Sequence, residues 1–136
     1  MQKNIPDKVL ESHKFQSSTF EIWDNGIYCL RVDENVTIQL EDSIIHDEFL
    51  FSRFDGVNQH KLLVESGVYS TISAEAREYA LLPNKADMVS ATAVIAKSLA
   101  HRILINFAIK VTQQKTMKMK MFDNREKAVE WLLSHK

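Results

Sequence analysis

Lys61-Leu62-Leu63-Val64-Glu65-Ser66 is the stretch whose reading decides the fold. A short, continuous apolar run belongs in a strand covered on both faces, and such strands form the interior of parallel sheets. Downstream, Ser73 stands where an N-cap would, ahead of Ala74-Glu75-Ala76-Arg77-Glu78-Tyr79-Ala80-Leu81-Leu82, and Pro83-Asn84 ends that helix. Residues 88–96 are rich in small and β-branched side chains and predict a second buried strand. Ser98 caps a further helix over 99–111, on which Arg102, Asn106 and Lys110 form one narrow polar stripe. Met117, Met119 and Met121 then alternate with Lys118 and Lys120, a period-two strand whose lysines protect an exposed edge. Asp123 and Glu126 have capping-box spacing ahead of a last helix carrying Ala128, Val129, Trp131, Leu132 and Leu133.

Upstream of the central run, residues 19–23 and 27–32 are β-rich and flank Asp24-Asn25-Gly26. Asn-Gly between two such runs is a strong hairpin signal, since both residues accept φ > 0. Val36, Ile38 and Leu40 alternate with polar neighbours as a short strand would, and Glu41 and Asp42 favour the first turn of a helix that Asp55-Gly56 stops. Residues 1–17 have too little periodicity for an element and read as a loosely ordered lead-in; residues 18–136 read as a single domain. Strands alternating with helices need right-handed parallel crossovers. The expected fold is therefore α/β: a mixed, mostly parallel sheet of four to five strands, with an N-terminal β-hairpin at one edge and four helices.

Composition removes several function classes. The 136 residues carry a net charge of −1, which gives no overall attraction for nucleic acid. Three glycines are too few for a Gly-rich phosphate loop. Cys29 is the only cysteine, there is no secretory h-region, and no run is apolar for long enough to span a membrane, so a cytoplasmic protein without integral membrane association is expected. No histidine has metal-ligand spacing, and no metal or cofactor is expected. His46-Asp47-Glu48 reads as a solvated helix face and Cys29 as a small buried hydrophobe. An enzyme would have to draw on Glu65, His101 and Arg102, to which no reaction attaches.

In parallel α/β sheets, ligands gather outside the carboxyl ends of the strands, here the stretches after Glu65 and Ala96. Ser73, with Ser70 and Thr71, is the candidate regulatory or anion site, and the plain alternative is that Ser73 is only a cap. Helix 99–111 is the second candidate. Leu99, Ile103 and Phe107, beside Arg102, Asn106 and Lys110, belong to a helix with more apolar surface than one sheet face absorbs. A partner subunit explains that excess as a homodimer, and an apolar or lipid-like ligand is the alternative. Charge is also divided: residues 1–68 hold 6 Lys/Arg against 12 Asp/Glu, and residues 69–136 hold 11 against 6. That split suits pairing with a charged partner.

The runs 61–66, 72–78 and 92–96, the 102–107 helix, and Phe122 with Glu126, Ala128 and Trp131-Leu132 together resemble the small bacterial STAS/SEC14-like proteins of the SpoIIAA type, over about residues 19–136. The resemblance implies a mixed sheet with helices, self-association and no catalysis. In the anti-sigma-factor antagonists among these proteins, a serine opening the helix after the central strand is phosphorylated by a partner kinase. Ser73 falls at about that position, within Ile72-Ser73-Ala74-Glu75 rather than an Asp-Ser-Ser-Gly-like turn. The expected function is a non-catalytic interaction or regulatory module with a regulatory protein partner. The alternative is a small carrier or sensor of an apolar ligand, as the SEC14-like proteins suggest.

Overall fold

The computed structural model describes residues 8–80, 88–96 and 118–134. Eight strands run in the order β1 (Val9–Lys14), β2 (Ser18–Trp23), β3 (Ile27–Val32), β4 (Thr37–Ile38), β5 (His60–Glu65), β6 (Thr71–Ile72), β7 (Val89–Ile95) and β8 (Lys118–Phe122). The helices are α1 (Leu40–Ser52), α2 (Ala74–Ala80) and α3 (Arg125–Leu133). Six strands form the main sheet in the order β1-β2-β3-β5-β7-β8, and β4 pairs with β6 in a separate two-stranded ladder. β1, β2 and β3 are antiparallel, while β3, β5, β7 and β8 run parallel.

The mixed, mostly parallel sheet agrees with the sequence reading, but its extent does not. It has six strands instead of four to five, because residues 9–14, read as lead-in, pair with β2. That strand alternates polar and apolar too weakly to be seen locally; its pairing with β2 is what holds it. The hairpin therefore lies inside the sheet, not at its edge. Three helices stand among the described residues against the four expected, and the fourth, 99–111, lies outside them. β8 is an edge strand with Lys118 and Lys120 exposed, as its alternation predicts.

The β2–β3 turn also differs from the two-residue form. Phe20 to Ile22 face Leu30 to Tyr28, Gly26 alone takes positive φ (+89°), and Gly26 N donates to Trp23 O at 3.0 Å. This is a three-residue loop with the glycine in the left-handed position, and Asn25 serves it through its side chain by accepting from Ile27 N at 3.1 Å.

Alternation along the strands divides the core in two. On one face Trp23, Ile27, Cys29, Leu63, Ala91, Ala93 and Ile95 lie beneath Ala128, Val129 and Leu132 of α3. The small residues of β7 let α3 approach closely. Asn124, not Asp123, caps this helix, accepting from Lys127 N at 2.9 Å. On the other face Phe20, Leu30 and Val89 pack against Leu50 of α1, and Phe20 stacks on Phe49 at 4.8 Å. His46 is buried here and shares a 2.7 Å hydrogen bond with Ser18 Oγ, which corrects the solvated reading. It lies one helical turn from both Ser43 and Leu50, on the stripe of α1 that turns inward.

Candidate functional site

The carboxyl ends of β3 and β5 are where the chain leaves the main sheet twice and builds the small ladder. Residues 33–38 and 66–73 are joined there by backbone bonds: Asn35 N to Val68 O (3.0 Å), Thr71 N to Val36 O (2.9 Å) and Ser73 N to Ile38 O (2.9 Å). Gly67 makes this closure sterically feasible, since a Cβ on it would lie 2.5 Å from Asp33 O. Asn35 and Tyr69 take the left-handed conformation, at φ 58° and 59°. For a tyrosine that conformation is uncommon, and backbone strain of this kind concentrates at functional sites. Tyr69 is 81% exposed, with Val68 exposed beside it.

Each hydroxyl of the expected site has a partner. Ser73 Oγ accepts from Ala76 N at 3.1 Å, and Arg77 N donates to Ser73 O, so Ser73 is the N-cap of α2. Ser70 is buried and donates to Gly67 O at 2.7 Å. Thr71 is exposed and shares a 2.8 Å bond with Thr37 Oγ1, its cross-strand neighbour in the small ladder. The three residues are thus brought together with Thr37, which sequence reasoning did not include. These partners are backbone groups or a second hydroxyl, and none is a base that would activate a nucleophile. Ser18, whose hydroxyl meets the His46 ring, is wholly buried. The helix candidates Leu99, Arg102, Ile103, Asn106, Phe107 and Lys110 lie outside the described residues, as does His101.

On the opposite face of the same strand ends lies an ionic lattice. Arg31 of β3 and Glu65 of β5 are cross-strand neighbours, with Arg31 Nε donating to Glu65 Oε1 at 3.2 Å. Arg125, the first residue of α3, donates to both Glu65 oxygens, at 2.6 and 2.9 Å. Arg31 also forks onto Glu21, at 2.9 and 3.2 Å, and Trp23 Nε1 donates to the same carboxylate at 3.0 Å. Burial pushes the Glu65 carboxyl upward, but Arg125 and Arg31 together outweigh it and hold it below the ordinary carboxylate value. Glu65 is therefore a fully occupied structural anion, not a free acid or base. No local sequence signal marks the lattice, because its ion pairs join residues 10 to 60 positions apart.

Cys29, between those charges, is wholly buried, and burial followed by the Glu65 charge pushes its thiol up to about 12. The buried-hydrophobe reading follows. The native protein is expected to show no thiol labelling by a disulfide reagent at pH 8 until denaturant is added. Rapid labelling of folded protein would contradict it. Among the described residues no group of three or more His, Cys, Asp or Glu is placed to hold a metal ion, and no helix is long and apolar enough to cross a membrane.

The model of a family described as a domain of unknown function, DUF7793, matches residues 20–136. No curated protein matches the chain. Among solved structures, it is similar to an uncharacterised protein of the DUF3478 family with a SpoIIAA-like fold, from Shewanella loihica PV-4. That likeness has a TM-score of 0.58 and 15% identity over 90% of each chain, and it shows the fold.

Proposed function

We propose that this chain, which belongs to the DUF7793 family, acts in the cytoplasm as a non-catalytic, STAS-like interaction module within one domain, as a homodimer that meets a regulatory protein. The observation that carries this reading is Tyr69, a large side chain held outward at positive φ on the edge where β4 meets β6. Tyrosine is among the residues that dominate binding energy at interfaces, and with only two side-chain torsions it loses little entropy on contact. Ser73 follows β6, four residues after Tyr69, and in this reading it controls that contact, since phosphate added there would bring negative charge to the same small ladder. Residues 99–111, whose spacing predicts a helix carrying Ile103 and Phe107, are the proposed dimer surface.

Ser73→Asp makes a clean test, because Asp caps a helix about as well as Ser and leaves α2 intact. Tyr69→Ala removes the knob and keeps the backbone hydrogen bonds. Both variants are expected to melt within a few degrees of wild type, a shift of under about 1 kcal/mol. Each is expected to lose partner proteins that wild type retains from native cell extract. Light scattering of wild type at micromolar concentration is expected to give twice the chain mass. A monomeric wild type, with identical retained proteins for all three forms, overturns the reading.

A further inference from the structure

We propose that the solvent face of α1 is the seat of a second contact, a docking surface for a cationic amphipathic helix of a partner protein. α1 carries four carboxylates and no Lys or Arg, and its inward stripe is Ser43, His46 and Leu50. Two of the four carboxylates are already engaged. Asp42 accepts from Gln39 N at 2.8 Å, which fixes the helix start, and Asp47 takes a hydrogen bond from Tyr79 of α2. Glu41 and Glu48 remain, both exposed and without an ion pair among the described residues.

These two lie seven residues apart, on one line along the helix and about 10 Å from each other. Ile44 and Phe51 flank that line on one side and Ile45 on the other; all three are exposed, Phe51 by 70%. Large apolar side chains on a helix normally turn inward, and here three face solvent around an acidic row that no described cation meets. Helix-in-groove recognition uses such a combination of apolar anchors and charge. The matching occupant presents Lys or Arg at i and i+7, which reproduces the spacing of the two carboxylates, with apolar residues beside them to cover Ile44, Ile45 and Phe51. At its far end the surface closes, because Arg53 is held by Glu11 at 2.9 Å and lies over the Phe49 ring.

The contact is independent of the Tyr69 edge, and the experiment separates the two. The full chain is titrated with a synthetic Leu–Lys helix of about 15 residues, with lysines at seven-residue spacing, and with its Leu–Glu counterpart. The Leu–Lys helix is expected to bind wild type and Tyr69→Ala alike. Binding is expected to weaken about tenfold for Glu48→Lys and for Phe51→Ser, and to be unchanged for Glu130→Lys, an exposed acid on α3. Circular dichroism confirms that each variant is folded. Equal binding by Glu48→Lys and Glu130→Lys overturns the proposal as mere charge attraction, and so does comparable binding of the Leu–Glu helix. Self-association of wild type that Glu48→Lys abolishes overturns it too, by making a second copy the occupant.

Discussion

Glu65→Ala is expected to lower the unfolding free energy by about 2 to 3 kcal/mol, read as a reduced urea midpoint at unchanged slope. Glu65 has 12% of its side chain exposed and neutralises two guanidinium groups that are 39% and 36% exposed. Removing it strips Arg125 of the carboxylate it grips and leaves Arg31 with Glu21. A fully buried pair broken this way costs about 3 to 5 kcal/mol, and water reaching the arginines reduces that figure. Arg125 also opens α3, with its guanidinium 5.5 Å above the Trp23 ring, so the first turn of the helix loses the ion pairs that supplement its apolar packing on the sheet.

The same lattice sets an acid limit. The folded Glu65 carboxyl titrates below the ordinary glutamate value of 4.5, so its contribution is complete above that pH. It is lost as pH falls through the lower, folded value. Glu21 follows the same direction: burial raises it, and the Trp23 and Arg31 hydrogen bonds more than compensate. Wild type is therefore expected to lose stability below about pH 4.5 faster than Glu65→Ala does, so the two unfolding curves converge in acid. Parallel curves down to the acid transition would remove the lattice as its cause.

Gly67→Ala is expected to be almost as damaging, at about 2 to 3 kcal/mol, although it adds a single methyl group. The added carbon would lie 2.5 Å from Asp33 O and 2.6 Å from both Asp33 C and Val32 O. All three are backbone atoms at the end of β3, which cannot swing aside as a side chain can. Gly67 is outside the left-handed region, so the objection is space and not torsion. Separation of the two connections also breaks the Asn35–Val68 bond and misplaces Tyr69. Hydrogen exchange is expected to show Asn35 and Thr71 amides deprotected in this variant, while the β5 amides stay slow. Unaltered exchange and stability would show that the loops can part without cost.

Legibility varied with the range of the interaction. The interior strands, the three described helices and the Ser73 cap came from periodicity and capping chemistry, which act within a few residues. β1 escaped because an edge strand needs only a partner, and its Val9 and Leu10 are exposed. His46 was misplaced because three adjacent polar residues look alike until the helix is rotated against a sheet. Of the candidate site, Ser70, Thr71 and Ser73 lie in the stretch that the strand-end rule singles out. Tyr69, Gly67 and Thr37 were not, because an outward tyrosine, a steric contact and a cross-ladder hydroxyl have no periodic signature.

The sequence by itself determined a mostly parallel α/β sheet and the lysine-guarded edge strand, since apolar spacing and local alternation settle both. Only the tertiary structure decided that Arg31 and Arg125 converge on Glu65, that Gly67 lies against the end of β3, and that Glu41 and Glu48 meet no cation among the described residues. Those facts depend on which distant segments become neighbours, and Coulomb and contact forces act on distances in space rather than on positions along a chain.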